Sequence, residues 1–187
     1  MIGGLVLAAG EGSRFGGPKQ LAELDGRPLL EHALDAMSGL DRVVVVLGAR
    51  ADEIRSRVDF GRAQPVVCDD WASGQAASLR AGLAALGDVE AAVVTLGDQP
   101  RITPEAIAFA ISKFDGEYPV RVTYGGRPGH PVVLPAGIIP RAMELEGDQG
   151  ARLLLEEAGA LEVDASHLAS AADVDTPDDL EVLRSTS

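Results

Sequence analysis

Apolar positions along this chain come in two alternating rhythms. Short unbroken apolar runs, Gly3 to Leu7, Val43 to Val46 and Ala91 to Leu96, have the length expected of strands covered on both faces. Gln64 to Cys68 reads as a further strand. Between these runs, Leu29 to Met37, Asp52 to Val58 and Ser78 to Leu86 space their apolar residues like amphipathic helices. Thr103-Pro104-Glu105 is a helix start, with Thr103 as cap and Pro104 in the first turn. Strands alternating with helices predict a three-layer α/β domain with a mostly parallel sheet. Val120 to Tyr124 and Pro131 to Leu134, separated by Gly125-Gly126 and a polar loop, predict a small antiparallel extension of that sheet. Ala151 to Ala158 and Pro177 to Arg184 read as helices. No internal repeat or linker interrupts the pattern, so one domain over residues 1–187 is expected.

Composition narrows the partners. A net charge of −13 argues against a nucleic-acid ligand, which calls for a basic surface. It leaves room for a nucleotide, because a pocket can be locally basic on an acidic protein. The single cysteine, Cys68, forms no intrachain disulfide, and the N-terminal apolar run is short and lacks a basic leader. Together these predict a cytoplasmic protein with no membrane association.

The segment that follows the first strand carries the most chemistry. Residues 5–20 read Leu-Val-Leu-Ala-Ala-Gly-Glu-Gly-Ser-Arg-Phe-Gly-Gly-Pro-Lys-Gln. Glycines let a backbone turn tightly and bring its N–H groups close to an anion. Arg14 adds a fork of donors and Lys19 a point charge. A strand feeding such a loop is a phosphate-binding arrangement. It is not a dinucleotide fingerprint, which needs glycine where Phe15 stands. Nor is it a P-loop, which needs Ser or Thr where Gln20 follows Lys19.

This loop, with Gly26-Arg27-Pro28-Leu29-Leu30 after it, resembles the nucleotidyltransferase family that builds molybdenum cofactor dinucleotides, and within it the cytidylyltransferase branch. The resemblance continues in order through 74–82 (Gly-Gln-Ala-Ala-Ser-Leu-Arg-Ala-Gly), Gly97-Asp98-Gln99-Pro100, Arg127-Pro128-Gly129-His130-Pro131, 147–152 (Gly-Asp-Gln-Gly-Ala-Arg) and 173–180 (Asp-Val-Asp-Thr-Pro-Asp-Asp-Leu). It implies a Rossmann-like nucleotidyltransferase fold. It also implies transfer of CMP from CTP to the phosphate of molybdenum-bound molybdopterin, with Mg²⁺ as cofactor. Product delivery would involve transient contact with a molybdenum enzyme or its chaperone. Two other readings stay open. A related enzyme could use GTP, or another phosphorylated acceptor such as methylerythritol phosphate. A non-catalytic accessory protein could bind the same ligands.

Position and resemblance together select the candidate residues. Asp98 follows an apolar strand, and in open α/β sheets ligands bind outside the carboxyl ends of strands. Position alone leaves metal ligand and turn cap open; the resemblance implies metal binding, with Arg14 and Lys19 as the other catalytic groups. Asp173 and Asp175 flank Val174, and at least one of them is expected near the metal. The resemblance puts nucleotide contacts on Leu7, Ala8, Ala9, Gly10, Gly12, Ser13, Arg14, Lys19, Gly74 and Ser78. Ser78 could equally cap a helix. Ala9 stands where guanylyl-transferring relatives carry glycine, and its methyl group would crowd a purine. Acceptor contacts fall on Gln99, Gly129, His130, Gly150 and Arg152, although a lone histidine such as His130 is also a common structural residue.

Overall fold

The computed structural model describes residues 1–148 and 151–186. A seven-stranded sheet runs through it in the order β5-β4-β1-β6-β8-β7-β9. Its strands are β1 (Ile2–Ala8), β4 (Val43–Leu47), β5 (Gln64–Val67), β6 (Ala91–Leu96), β7 (Val120–Tyr124), β8 (Arg127–Pro135) and β9 (Leu161–Asp164). A separate ribbon pairs β2 (Glu23–Leu24) with β3 (Arg27–Pro28). The pairings β1–β4, β1–β6, β4–β5 and β7–β9 are parallel, and β8 runs antiparallel to both of its neighbours. The sheet is therefore mostly parallel, as the alternation of elements predicts. The β7–β8 hairpin forms as expected, but it is built into the sheet, because β8 pairs with β6 along Val94 to Ala91.

Side chains on successive strand residues point to opposite faces. Val6 and Ala8 of β1 therefore join Val45 and Leu47 in one core, packed under α1 (Leu29–Ala36), α2 (Ala51–Arg57) and α4 (Pro104–Ser112). Leu5 and Leu7 join Val44 and Val46 in the other, under α3 (Gln75–Leu86), α5 (Ile139–Ala142) and α6 (Arg152–Glu157). These are the helix layers on the two faces. A third cluster, Leu24, Leu29, Val174, Leu180 and Leu183, seats α7 (Pro177–Ser185) against the small ribbon. Among the described residues no helix is long and apolar enough to cross a membrane.

The strand order locates the functional end of the sheet. From β1 the chain moves outward to β4 and β5, then returns to the other side of β1 as β6. That reversal opens a crevice between the loops leaving β1 and β6, the usual ligand site of an open α/β sheet.

Candidate active site

The loops leaving β1 and β6 lie side by side because Leu7 and Leu96 are paired across the strands. The β1 loop folds on the Gly12 carbonyl, which accepts from the N–H groups of Phe15, Gly16 and Gly17 at 2.9, 3.0 and 3.4 Å. Gly12 has φ +70°, and a Cβ there would lie 2.2 Å from the Gly17 carbonyl oxygen, so only glycine closes this turn. Among the described residues, the N–H groups of Gly10, Glu11, Gly12 and Ser13 have no protein acceptor. A loop of this kind is a ready anion cradle.

Gln20 holds the loop in place. Its buried amide donates to the carbonyls of Ala8 at 2.8 Å and Gly10 at 2.9 Å. Sequence reasoning gave Gln20 no role. The available signal was an amide next to the apolar Leu21 in an otherwise matched motif.

Lys19 begins a 3-10 turn and bridges two carboxylates. Its Nζ lies 2.5 Å from Asp98 Oδ2 and 2.9 Å from Asp175 Oδ1. Arg14 closes on the same group, with Nη1 3.0 Å from Asp175 Oδ2. Burial pulls the Lys19 ammonium down, but Asp98 and Asp175 outweigh it and hold its pKa above the usual lysine value. The Lys19 hydrogen bond holds the Asp175 carboxyl below the usual aspartate value.

The backbone fixes these partners. The Val174 N–H donates to the Asp98 carbonyl at 3.0 Å, and the Val174 side chain is fully buried. Thr176 caps α7 in a capping box with Asp179, whose carboxylate also accepts from the Asp175 N–H at 3.0 Å. Capping therefore leaves Asp173 and Asp175 unused, and they diverge. Asp175 joins Lys19, while Asp173 accepts from the Gln99 amide at 2.6 Å. Burial raises the Asp173 pKa above the usual value.

A cleft of about 350 Å³ opens beside this cluster. Leu7, Ala8, Ala9, Gly10, Lys19, Gly74, Ser78 and Asp98 line it, together with Trp71, Gln75 and Asp148. Of the other expected nucleotide contacts, Ser13 lines an adjoining depression on the far side of Trp71, Gly12 forms the turn and Arg14 reaches Asp175. The cap reading of Ser78 is corrected. Helix α3 starts at Gln75, so Ser78 lies buried in its first turn. The cap is supplied from elsewhere: Asp148 Oδ1 accepts from the Gln75 N–H at 3.3 Å, and the Gly147 carbonyl accepts from the Ala76 N–H at 3.0 Å. This close strap explains Gly74, where φ is +117° and a Cβ would lie 2.4 Å from the Gly147 carbonyl carbon.

A second cleft of about 380 Å³ adjoins the first and shares Gln75, Leu96 and Asp148 with it. Gln99, Gly129, His130, Arg152 and Asp173 line it, and so does Arg121. Burial pushes the His130 imidazole down to about 4, against the opposing pull of Asp98. Arg152 is exposed and paired with Glu156. Gly150 lies outside the described residues. Among the described residues no group of three or more His, Cys, Asp or Glu side chains is placed to hold a metal. Asp98 and Asp175 form a two-carboxylate set, and Asp98 Oδ1 is buried without a partner.

Comparison with known proteins gives the family. Residues 4–163 match the MobA-like NTP transferase domain, and the chain belongs to that family. It is 35% identical to a nicotine blue oxidoreductase of Paenarthrobacter nicotinovorans, over 94% of this chain and 92% of that one. It is also 35% identical to a probable molybdenum cofactor guanylyltransferase of Thermococcus kodakarensis, over 60% of this chain and 53% of that protein's length. Among solved structures, the homologue of Mycobacterium tuberculosis Rv0371c from Mycobacterium sp. strain JC1 superposes with a TM-score of 0.89 at 34% identity, covering 99% of this chain and 96% of that one. Rv0371c of M. tuberculosis H37Rv, solved as a complex with manganese, gives a TM-score of 0.82 at 29% identity, covering 100% and 99%.

Proposed function

We propose that this chain transfers CMP from CTP to the phosphate of molybdenum-bound molybdopterin and releases pyrophosphate. The observation that carries the reading is Lys19 bridging Asp98 and Asp175 at the mouth of a nucleotide-sized cleft. An oxygen of the acceptor phosphate attacks the α-phosphorus of CTP, and the bond from that phosphorus to the pyrophosphate breaks. The nucleophile is already anionic, so no general base is needed. What the reaction needs is alignment and compensation of negative charge. Lys19 and Arg14 supply cations, and the Gly10 to Ser13 N–H groups supply donors to the triphosphate. His130, neutral at physiological pH, shapes the acceptor cleft without adding charge.

The two carboxylates fit Mg²⁺, which takes oxygen ligands and commonly only one or two from the protein. The partnerless Asp98 Oδ1 supports this assignment. Asp98 and Asp175 would hold the ion, which would supply positive charge against the negative charge developing on the departing pyrophosphate. Ala9 lines the nucleotide cleft, which supports cytosine over guanine, because its methyl group narrows the space for a base. In this reading the protein works in the cytoplasm and passes its product to a molybdenum enzyme or its chaperone.

A second reading comes from the nicotine blue oxidoreductase relative. The two adjoining clefts would then hold nicotine blue and its redox partner. The β1 loop has Phe15 where a dinucleotide fingerprint needs glycine, and the Lys19 cluster beside that loop suits the charge of a triphosphate, so the site favours nucleotidyl transfer. Purified protein given CTP and Mg²⁺ separates these readings. Pyrophosphate release with the molybdenum-pterin acceptor supports the proposal, and release only with methylerythritol phosphate or only from GTP replaces it with a related transferase. Turnover of nicotine blue, followed by its absorbance, without pyrophosphate release supports the oxidoreductase, and binding without either reaction supports an accessory protein.

A further inference from the structure

Two side chains of the second cleft each carry a buried polar atom with no protein partner among the described residues. Arg121 lies on β7 between Val132 of β8 and Glu162 of β9, its register partners. Only 12% of its side chain is exposed, and it pairs with Glu162 through Nη2 while its Nε is buried and unpaired. Gln99 is 3% exposed, donates its amide to Asp173, and leaves Oε1 buried and unpaired. Both side chains line the same cleft. Buried donors and acceptors rarely lack partners, and a donor and an acceptor left over in one cleft wall point to a ligand carrying the complementary pair. Presenting either atom to a ligand requires a rotation of its side chain.

The remaining lining selects the chemical class. Leu96, Val132 and Leu155 give the cleft apolar faces against which a flat ring packs, and several of its polar groups are already engaged: Gln99 with Asp173, Asp148 with the Gln75 N–H and Arg152 with Glu156. Asp148 and Asp173 also line the cleft, and its two arginines, Arg121 and Arg152, are already paired with Glu162 and Glu156. A further phosphate at this end would therefore find no unpaired cation among these side chains. A flat heterocycle fits the walls and offers ring N–H donors and carbonyl or ring-nitrogen acceptors.

We propose that Arg121 is a specificity-determining residue of the acceptor cleft, donating to a carbonyl or ring nitrogen of a flat, lactam-bearing heterocycle while Gln99 accepts from its ring N–H. The proposal rests on the reading that this cleft holds the acceptor of nucleotidyl transfer. It assigns the discrimination between a pterin-like ring and a sugar phosphate to one strand residue far from the phosphate loop in sequence.

The test is a fluorescence titration of 6-hydroxymethylpterin, which carries no phosphate, onto the full chain. Arg121→Gln is expected to weaken binding by about tenfold or more, the loss of one charge-assisted hydrogen bond. Arg121→Lys keeps a cation for Glu162 but loses Nε, and is expected to weaken binding as well. Glu162→Gln breaks the ion pair, leaves the guanidinium in place, and is expected to bind the pterin as tightly as wild type or more tightly. Binding of a non-hydrolysable CTP analogue should be unchanged in all three. Equal pterin binding by wild type and Arg121→Gln overturns the proposal. So does an equal loss in Glu162→Gln, which would make Arg121 a sheet-edge strut, or displacement of the pterin by a lower concentration of methylerythritol phosphate. Pterin binding needs no turnover, so a failure of CMP transfer is read separately in pyrophosphate release.

Discussion

Lys19 Nζ lies 2.5 Å from Asp98 Oδ2, and the same ammonium reaches Asp175 at 2.9 Å. The lysine therefore stands where a cation bound by both carboxylates would stand. With Arg14 added, two carboxylates face two side-chain cations. A divalent ion entering this balanced cluster is opposed by Lys19. Under the proposed function, a triphosphate would change the balance by drawing Lys19 and Arg14 onto its own oxygens and releasing the carboxylates.

Metal and nucleotide should therefore bind with positive coupling. Free Mn²⁺ measured by electron paramagnetic resonance is expected to fall more steeply with protein when a non-hydrolysable CTP analogue is present. A coupling of about 1–3 kcal/mol, or five- to 150-fold, is the usual scale. Lys19→Gln should raise Mn²⁺ affinity without nucleotide. Equal Mn²⁺ affinity with and without the analogue in wild type contradicts the exchange.

Lys19 should also act during turnover. Its charge interacts more strongly with the triphosphate as negative charge moves onto the leaving pyrophosphate, so Lys19→Ala is expected to lower kcat as well as apparent CTP affinity. If only KM rises, Lys19 is a docking contact.

Base choice should depend on Ala9. The residue is 5% exposed, packs with the core around Leu7, and lines the nucleotide cleft. A steric wall of this kind discriminates by roughly 1–3 kcal/mol, so wild type should prefer CTP over GTP by about ten- to a few-hundred-fold. Ala9→Gly should narrow that ratio of kcat/KM values. A CTP preference untouched by Ala9→Gly would move base selection elsewhere, for example to Gly74 and Ser78.

His130 should make the protein acid-sensitive. Its pKa falls from 6.5 to about 4 on burial, so between these values the unfolded chain binds a proton that the folded chain excludes. Stability is then full above about pH 6.5 and declines as pH falls toward 4, by up to about 3 kcal/mol at 1.36 kcal/mol per pH unit. In urea titrations His130→Gln should flatten this slope. An unchanged slope would show that His130 is not the group responsible.

Much of this was legible locally. The runs of β1, β4 and β6 and the Thr103-Pro104 helix start all form as their patterns predict, and the Thr103 side chain accepts from the Ala106 N–H. What escaped depends on distant partners. β9 spans Leu161–Asp164 with mostly exposed residues, and becomes a strand by pairing with β7. Apolar spacing predicts a helix from Ser78, whereas α3 starts at Gln75, where Asp148 and the Gly147 carbonyl accept from the first N–H groups. In the site, Arg14, Lys19 and Asp98 stood out by type and position. The bridge through Asp175, the Gln20 clamp and the entry of Arg121 into the second cleft join residues far apart in the chain, and no local spacing encodes them.

Metal-dependent CMP transfer at the Lys19–Asp98–Asp175 cluster is tested most directly by CTP-dependent pyrophosphate release with Mg²⁺ and molybdenum-bound molybdopterin, measured for wild type and Asp98→Asn side by side. Asn keeps the size of Asp98 and removes its charge. The expected result is steady release by wild type and a fall of about two orders of magnitude or more in the variant, with the fold unchanged by circular dichroism. Near-normal release by Asp98→Asn, or no release from CTP by wild type, would contradict it.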